Sequence, residues 1–518
     1  MARETAGTAQ VKPTLGLTGV TVNAMALIAP GAFLWITYQL QAAATAPDGS
    51  SVAADIWAGI GLALIVALLT AVSYAELMRR YPEAGFGSSY YFAEKAFIDR
   101  ADVRHHQWAR LAKILTGWAA HLYYWVYPGV MVAMTATLLG YIYTQITGGT
   151  LSTVTLIIIC ALFALVVGYI AYRGVSGSTF TALMVNVIQL VTLVGFSLLA
   201  IYYRLGNPAH ATQWAFSGAW DIMKPHSFQG VLIQSTLAIL ILVGFESCTA
   251  LAAETIDPKK HIPRGVILSL IIQGLFAYMF EYFAAGYMVS ETLAGTDSTG
   301  AAVTGLAAAA ASSAPIGDLA ILVGNAVLGG IGFGLMVSIA VTVVIALLGT
   351  TLSCLNTAVR MSYAMAQDRE MPEILGALHG RFATPHRVIW VLVAFSAVIG
   401  AIGVQSVVGL TGITLASNFG TFALYGLTCL WTMIAFAGTT EFRFLRHALI
   451  PGLGLLTNVV MLIAILYLYI IGNADSQREA YICFAIAGGW AAVSFLYVAV
   501  TSVRSGRPLM AAPRRGAA

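Results

Sequence analysis

The residues with the clearest chemical potential interrupt a long apolar run. Residues 231–243 form a mostly apolar run, Gly244, Phe245 and Glu246 break it, and it resumes as far as residue 253. A carboxyl group inside a membrane span is costly and marks a functional site. Irregular backbone at that depth is tolerated only where it is buried in protein or lines a cavity. Because many secondary transporters bind their substrate at such a break, we predict a substrate site here.

A second break falls in the first apolar run, at Ala29, Pro30, Gly31 and Ala32. Proline suits the first position of a helix, where its missing N–H would be unpaired anyway. Glycine lets a ligand approach the backbone closely. The free amides and the dipole of a helix that begins here favour an anion, such as a substrate carboxylate. A simple proline kink is the alternative, but the pairing of this break with the one at Gly244 favours a site.

Three carboxyl groups are candidates for coupling or gating. Glu246 could bind a substrate amine, carry a proton, or hold the break together by accepting backbone N–H bonds. Glu281 could pair with the substrate or a proton, or lie at a wet interface among aromatic residues. Glu76 follows an apolar run and stands beside Arg79 and Arg80, which indicates an ion pair at a membrane boundary or gate.

Two polar clusters in apolar runs carry weaker signals. Tyr123 and Tyr124 belong to an aromatic stripe, which is usually packing but could partly wall a substrate cavity. Thr350 and Thr351 could complete a cation site with backbone carbonyls of the first run, although such hydroxyls more often bond back to their own helix.

The composition places all these residues in a membrane. The chain has 518 residues, of which 59% are hydrophobic and 9% charged, and its mean hydropathy is +0.83. About 20 apolar residues span a bilayer as a helix, so we predict an all-α integral membrane protein with twelve transmembrane helices. These spans, numbered 1 to 12, lie near residues 15–42, 56–78, 112–143, 152–172, 179–203, 230–253, 265–289, 331–359, 386–404, 407–436, 449–471 and 480–503.

The basic residues predict the orientation. With twelve spans and the N-terminus in the cytoplasm, every Lys and Arg is cytoplasmic except Arg204, Lys224 and Arg478. The positive-inside rule therefore places both termini in the cytoplasm of a cell (inner) membrane protein. Because these residues are scattered over short loops, no nucleic-acid partner is expected. The five cysteines lie in apolar runs and predict small buried side chains, so we expect no metal and no cofactor.

The two breaks also predict the domain organisation. They lie five spans apart, which indicates an inverted repeat of five plus five helices with discontinuous helices 1 and 6. We predict one transporter domain between short cytoplasmic tails, with an interfacial helix between spans 2 and 3, an external loop at 290–316 and a surface helix near 318–328. The tails are 1–14 and 504–518, the domain is 15–503, the repeats are about 15–203 and 230–436, and the extra helices are about 449–503.

Three motifs carry a resemblance to a known family. The motifs are Ser73-Tyr74-Ala75-Glu76-Leu77 with Arg80-Tyr81-Pro82-Glu83-Ala84-Gly85, then Gly244-Phe245-Glu246 with Ile262-Pro263-Arg264, then Arg360-Met361-Ser362-Tyr363-Ala364-Met365-Ala366 with Met371-Pro372. With them the chain resembles the amino acid–polyamine–organocation (APC) permeases over about residues 15–436. The resemblance implies a LeuT-like fold, alternating access, and a substrate with an amino group, usually also a carboxylate, between spans 1 and 6.

The chain departs from the family pattern at three positions. Pro30 stands in a break that is more often Gly-Ser-Gly-like, which is similar to putrescine-importer-like relatives. Leu240 stands where many exchangers carry an aromatic lid. Gln189 stands where some proton-coupled relatives carry a lysine, so that lysine cannot serve in coupling.

These observations predict a secondary active transporter that takes up a small amino acid or a related amine. Coupling to protons is favoured over sodium because two membrane acids are present. The alternatives within the class are a polyamine (putrescine-like) importer and an amino acid or amine exchanger. An enzyme would need a catalytic constellation that the chain does not offer, and a channel would need a continuous polar pore. The sequence leaves the substrate, the direction of transport and the oligomeric state open.

Overall fold

A computed structural model describes residues 13–28, 30–100, 103–174, 179–206, 216–297, 299–382 and 384–510. This part of the chain is almost entirely helical, as expected of apolar segments that must pair their backbone groups internally in a membrane. Its α-helices are α1 Leu17–Ile28, α2 Pro30–Ala43, α3 Ile56–Arg80, α4 Ser89–Ile98, α5 Ala109–Thr147, α6 Thr153–Tyr172, α7 Thr179–Gly206, α8 Phe216–Met223, α9 Phe228–Ala238, α10 Pro258–Leu270, α11 Met279–Thr292, α12 Leu306–Ala311, α13 Pro315–Val327, α14 Gly332–Gln367, α15 His386–Gly403, α16 Val407–Phe436, α17 Ile450–Leu468 and α18 Ala474–Ser505.

Within the described residues, eleven helical stretches are long and apolar enough to cross a membrane. They overlap the predicted spans 2 to 12. Some are built from several elements: a π-helix at Ile271–Tyr278 joins α10 to α11, and another at Leu445–Leu449 precedes α17. The predicted span 1 corresponds to α1 and α2, which lie on either side of Ala29, a residue outside the described part of the chain.

The helix of span 6 is discontinuous, as the sequence predicts. After α9, a 3-10 segment covers Ile239–Ile241, a turn follows, and a second 3-10 segment runs over Phe245–Glu254. Gly244 has a φ of +117°, a conformation that favours glycine. A Cβ on Gly244 would lie 2.8 Å from Cγ of Leu27. The break in span 6 therefore packs directly against the end of α1, and only glycine fits there.

The helix α5 runs through the middle of the helical assembly, where it packs against α4, α14, α15 and α16. It is buried along most of its length, and it contains Pro128 without ending. Neighbouring helices can re-satisfy the backbone groups that a proline frees in a membrane helix. Because α5 carries the aromatic stripe, those side chains are placed inside the protein.

The connections contain more structure than the sequence suggested. The helix predicted between spans 2 and 3 exists as α4, but its face with Tyr90, Phe92 and Ala93 is fully buried against α5 and α16. It is therefore packed into the protein. The predicted loop 290–316 contains an antiparallel strand pair, β1 Ala294–Thr296 and β2 Ala302–Thr304, followed by α12. The helix predicted near 318–328 is α13.

Candidate substrate and coupling site

Glu246 lies two residues after the turn at Gly244 and is 1% exposed. Its carboxylate accepts three hydrogen bonds. Oε1 accepts from the hydroxyl of Tyr124 at 2.9 Å, and Oε2 accepts from the hydroxyl of Tyr425 at 2.7 Å and from the N–H of Gly244 at 3.0 Å. Hydrogen bonds to a charged acceptor are strong in a buried setting. Glu246 therefore fastens the break in span 6 to α5 and α16, which carry the two tyrosines.

An aromatic cluster surrounds this carboxylate. Phe245 is fully buried, and its ring centroid lies 5.3 Å from that of Tyr425. Tyr74 of α3 stands edge-on to both rings, at 6.0 Å from Phe245 and 6.1 Å from Tyr425. Edge-to-face contacts of this kind stabilise aromatic pairs beyond their burial. The cluster joins spans 2, 6 and 10 beside the break.

Three side chains from two other elements, the π-helix Ile271–Tyr278 and α14, donate to the carbonyl groups at the end of α1. The last carbonyls of a helix lack partners within it. Here the carbonyl of Met25 accepts from Nε2 of Gln273 at 3.0 Å, that of Ala26 accepts from the hydroxyl of Thr350 at 3.2 Å, and that of Ile28 accepts from the hydroxyl of Tyr278 at 2.9 Å.

The two hydroxyls of the span 8 cluster have different acceptors. Thr350 reaches a carbonyl of span 1, as the cation-site hypothesis requires, whereas Thr351 donates back to the carbonyl of Leu347 at 2.5 Å. Within the described ranges, no group of three or more His, Cys, Asp or Glu side chains is arranged to hold a metal ion.

The start of α2 lies next to this carbonyl end. The helix begins at Pro30 and contains Gly31 and Ala32 in its first turn, while Ala29 lies outside the described residues. The first N–H groups of a helix have no acceptor within the helix. The contact between Leu27 and Gly244 places the turn of span 6 against the last residues of α1, next to the break predicted in span 1. The carbonyl groups at the end of α1, the first turn of α2 and a buried carboxylate thus lie in one region.

Glu281 has quite different surroundings. It lies in the first turn of α11 and is fully buried. Among the described residues, neither of its carboxylate oxygens has a hydrogen-bond partner. Its helix neighbours Tyr278 and Tyr282 are also buried.

The remaining predicted residues occupy two other places. Gln189 is buried in α7, one turn beyond Asn186, whose side-chain amide donates to the carbonyl of Val22 in α1 at 3.3 Å. Glu76 lies in the last turns of α3 and forms an ion cluster with Arg79, Arg446 and His447, with 3.6 Å to Arg446 and 3.4 Å to His447. Glu76 is therefore part of an ion-pair network at a helix end, as predicted.

Sequence reasoning missed several residues of the site. Tyr425 stands alone in a long apolar run, and Tyr74 lies within the motif at the end of span 2, so neither carries a chemical signal of its own. Gln273 is an isolated amide in span 7. Tyr124 was foreseen within the aromatic stripe, but its neighbour His121 is a packing residue whose ring nitrogens contact the carbonyl of Gly117 and the hydroxyl of Ser362.

The many apolar helices and the break in span 6 are typical of membrane transporters, and comparison with known families agrees. Residues 20–502 match the amino acid permease family. The chain therefore belongs to this family, within the APC superfamily that its motifs resemble.

Three characterised relatives illustrate the range of cargo within this group. The chain is 24% identical to the branched-chain amino acid permease BcaP of Bacillus subtilis over 372 residues, which cover 71% of this chain and 70% of that protein. It is 22% identical to the methylthioribose transporter of the same bacterium over 388 residues, 74% and 73% of the two chains. It is 24% identical to the low-affinity putrescine importer PlaP of Escherichia coli over 226 residues, 43% and 45% of the two chains.

Proposed function

We propose that this protein is a secondary active transporter that takes up a small amino acid or a related amine by alternating access, driven by protons. Membership of the amino acid permease family and the similarity to BcaP support the cargo class. The observation that supports the mechanism is the packing of the turn at Gly244 against Leu27 of α1, beside the buried carboxylate of Glu246.

In this proposal α1 and α2 together form the first of twelve spans, and spans 1–5 and 6–10 form inverted repeats within one domain. Both termini lie in the cytoplasm, in line with the distribution of Lys and Arg. The substrate carboxylate is bound by the free amides at the start of α2, around Gly31 and Ala32. The amino group lies toward the carbonyl end of α1, where the helix dipole is negative.

Glu246 is proposed as the group that links protonation to the shape of the break. Its carboxylate receives three donors, so a proton on it would remove the negative charge and weaken these charge-assisted bonds. The candidates for release are the N–H of Gly244 and the two tyrosine hydroxyls. Loss of any of them loosens span 6 from α5 or α16, or relaxes the turn itself.

Glu281 is proposed as a second proton-binding carboxyl. An ionised carboxylate without a donor is costly inside a membrane protein, and Glu281 has no donor among the described residues.

Coupling to sodium is less well supported than coupling to protons, because Gln273, Thr350 and Tyr278 already use three of the α1 carbonyls that such an ion would need.

Transport is proposed to proceed by rocking of spans 1, 2, 6 and 7 against spans 3, 4, 8 and 9. Among the contacts that cross this boundary are those of Tyr124 with Glu246, and of Arg360 of span 8 with Glu254 of span 6 at 3.4 Å. Both must break when the inner pathway opens, so they are suited to act as gates.

The test uses purified protein in proteoliposomes with an imposed pH gradient. We expect Glu246→Gln to abolish pH-driven accumulation while leaving counterflow exchange partly intact, because the amide cannot be ionised. Elution as a single folded species in gel filtration is the control for folding. Unchanged pH-driven uptake by this variant would overturn the coupling role of Glu246.

A second cargo, a polyamine, is favoured by one observation. Pro30 opens α2 and removes one N–H from the set that would bind a carboxylate, and the chain is similar to a putrescine importer. A thermal-shift screen of amino acids and polyamines separates the two, because a ligand that binds the folded state raises the melting temperature. Stabilisation by diamines alone would assign the polyamine cargo.

A further inference from the structure

A basic cavity lies at the end of α3, away from the paired breaks. It has a volume of about 900 Å³ and is formed by the end of α3, the start of α10, the end of α16 and the segment that leads into α17. Its basic lining residues are Arg79, Arg80, Lys259, Arg443, Arg446 and His447. Its acidic lining residues are Glu76, Asp99 and Glu441. Even with a neutral histidine, this lining is cationic.

The acidic side chains do not neutralise all of these cations. Glu76 is shared by Arg79, Arg446 and His447, and Glu441 is paired with Arg80 at 3.4 Å. Among the residues that the structure describes, the side chains of Lys259 and Arg443 have no acidic partner. Two cationic groups are therefore left to face the cavity.

The cavity is also a built feature rather than a chance meeting of flexible side chains. His447 is 3% exposed, its ring stacks on Phe436 at a centroid distance of 3.7 Å, and its Nε2 lies 3.4 Å from Glu76. The N–H of Arg443 donates to Nδ1 of His447 at 2.9 Å. This buried histidine fixes the backbone from which the guanidinium of Arg443 projects.

The neighbouring surface is apolar and belongs to a membrane-spanning stretch. Phe442 lines the cavity and is 42% exposed, and the next residues along, Phe444 and Leu445, are 66% and 57% exposed. The predicted membrane span that follows begins at Leu445. Large apolar side chains beside a basic pocket at the edge of a span suit a ligand with a charged head and an apolar tail.

We propose that this cavity binds a phosphate group, carried by the headgroup of an anionic phospholipid, with Arg443 and Lys259 as the principal contacts. Guanidinium and phosphate match in geometry and form charge-assisted bonds. The site lies on the face predicted to be cytoplasmic. The cavity is separate from the substrate site, so the proposal of a phosphate site does not depend on the proposed transport function.

The test is a thermal-unfolding titration of the detergent-purified full chain with dioctanoyl phosphatidylglycerol, dioctanoyl phosphatidylcholine, and inorganic phosphate at matched ionic strength. We expect the anionic phosphatidylglycerol to raise the melting temperature saturably and the zwitterionic phosphatidylcholine not to do so. Loss of one charge-assisted bond weakens binding by about ten-fold or more, so Arg443→Gln should shift the midpoint of the titration by that factor. Lys259→Gln is the second variant, should Arg443→Gln prove unstable.

Arg381→Gln is the matched control. Arg381 is an exposed basic residue on the same predicted face but does not line the cavity, so this variant should titrate like the wild type. Saturation by inorganic phosphate as tight as by the lipid would support the phosphate site and assign it to a soluble anion. An equal response to both lipids without a response to phosphate, or equal loss in Arg443→Gln and Arg381→Gln, would overturn the proposal.

Discussion

Glu246 and Glu281 are both buried carboxyl groups in neighbouring spans, and their surroundings are opposite. Glu246 receives a donor from its own break and one each from α5 and α16. Glu281 receives none among the described residues, although it is equally buried. Both were equally visible in the sequence as acids within apolar runs. Sequence position alone therefore does not distinguish a buried acid that accepts several hydrogen bonds from a buried acid that accepts none.

The comparison indicates that Glu246 serves both stability and transport, whereas Glu281 serves transport alone. Truncating one partner of a buried charge leaves the rest unpaired and is destabilising, whereas removing a charge that has no partner can be neutral or favourable. We expect changes around Glu246 to cost both stability and transport. Changes at Glu281 should alter transport while stability stays the same or rises.

The largest effect on stability and uptake is expected from Gly244→Ala, which changes the turn at the break in span 6. A positive φ is strained for alanine, and the added Cβ would overlap Leu27. Strain and overpacking each cost about 1–3 kcal/mol, so the melting temperature should fall by several degrees and uptake should be lost. Gly195→Ala is the control, because a Cβ there meets nothing within 4 Å. A fully active Gly244→Ala protein would disprove the tight contact between Gly244 and Leu27.

The next effect is expected from Tyr425→Phe and Tyr124→Phe, which each remove one donor from Glu246. A hydrogen bond to a charged group contributes about 1.5–3 kcal/mol, so each variant should unfold at a lower temperature. The pH at which uptake is half-maximal should also move, because ionised Glu246 loses a stabilising donor. That movement should be toward higher pH, since protonation becomes easier. Stable variants with an unchanged pH profile would remove Glu246 from the coupling scheme.

The sequence predicted the architecture well because membrane spans are encoded locally, in runs of about 20 apolar residues. It also located the break in span 6, since Gly244 imposes a local backbone constraint, whereas the break predicted in span 1 falls at Ala29, outside the described residues. What it did not reveal is which side chains meet across the bundle. Tyr425 lies 179 residues from Glu246 along the chain, and nothing in its own neighbourhood marks it. The burial of α4 was missed for the same reason, because it depends on packing against distant helices.

A smaller and opposite effect is expected from Glu281→Gln. With no donor to lose among the described residues, this variant should melt at the same temperature as the wild type or above it. If Glu281 binds a second proton, accumulation driven by a pH gradient should be reduced but not abolished. Glu281→Leu, which also removes the polar group, should give the same transport result with equal or greater stability. A marked loss of stability in both variants would show that the two acids are held alike.

The smallest effect on stability is expected at Glu254, a third carboxyl group, on the same 3-10 segment as Glu246. It pairs with Arg360 at 3.4 Å, and both side chains are about 30% exposed, 30% for Glu254 and 31% for Arg360. Pairs this exposed contribute about 0–1 kcal/mol, so Glu254→Gln should leave the melting temperature nearly unchanged.

If the pair acts as a gate, however, its loss should shift the balance between inward-facing and outward-facing states. A bias of about 0.5–1 kcal/mol would alter the rate of counterflow exchange by roughly two- to five-fold. The charge reversal Glu254→Arg with Arg360→Glu should restore the rate if the pair itself is responsible. Because Glu254 and Glu246 share a segment but differ in exposure, an equal loss of stability at both would show that burial does not govern the strength of these bonds.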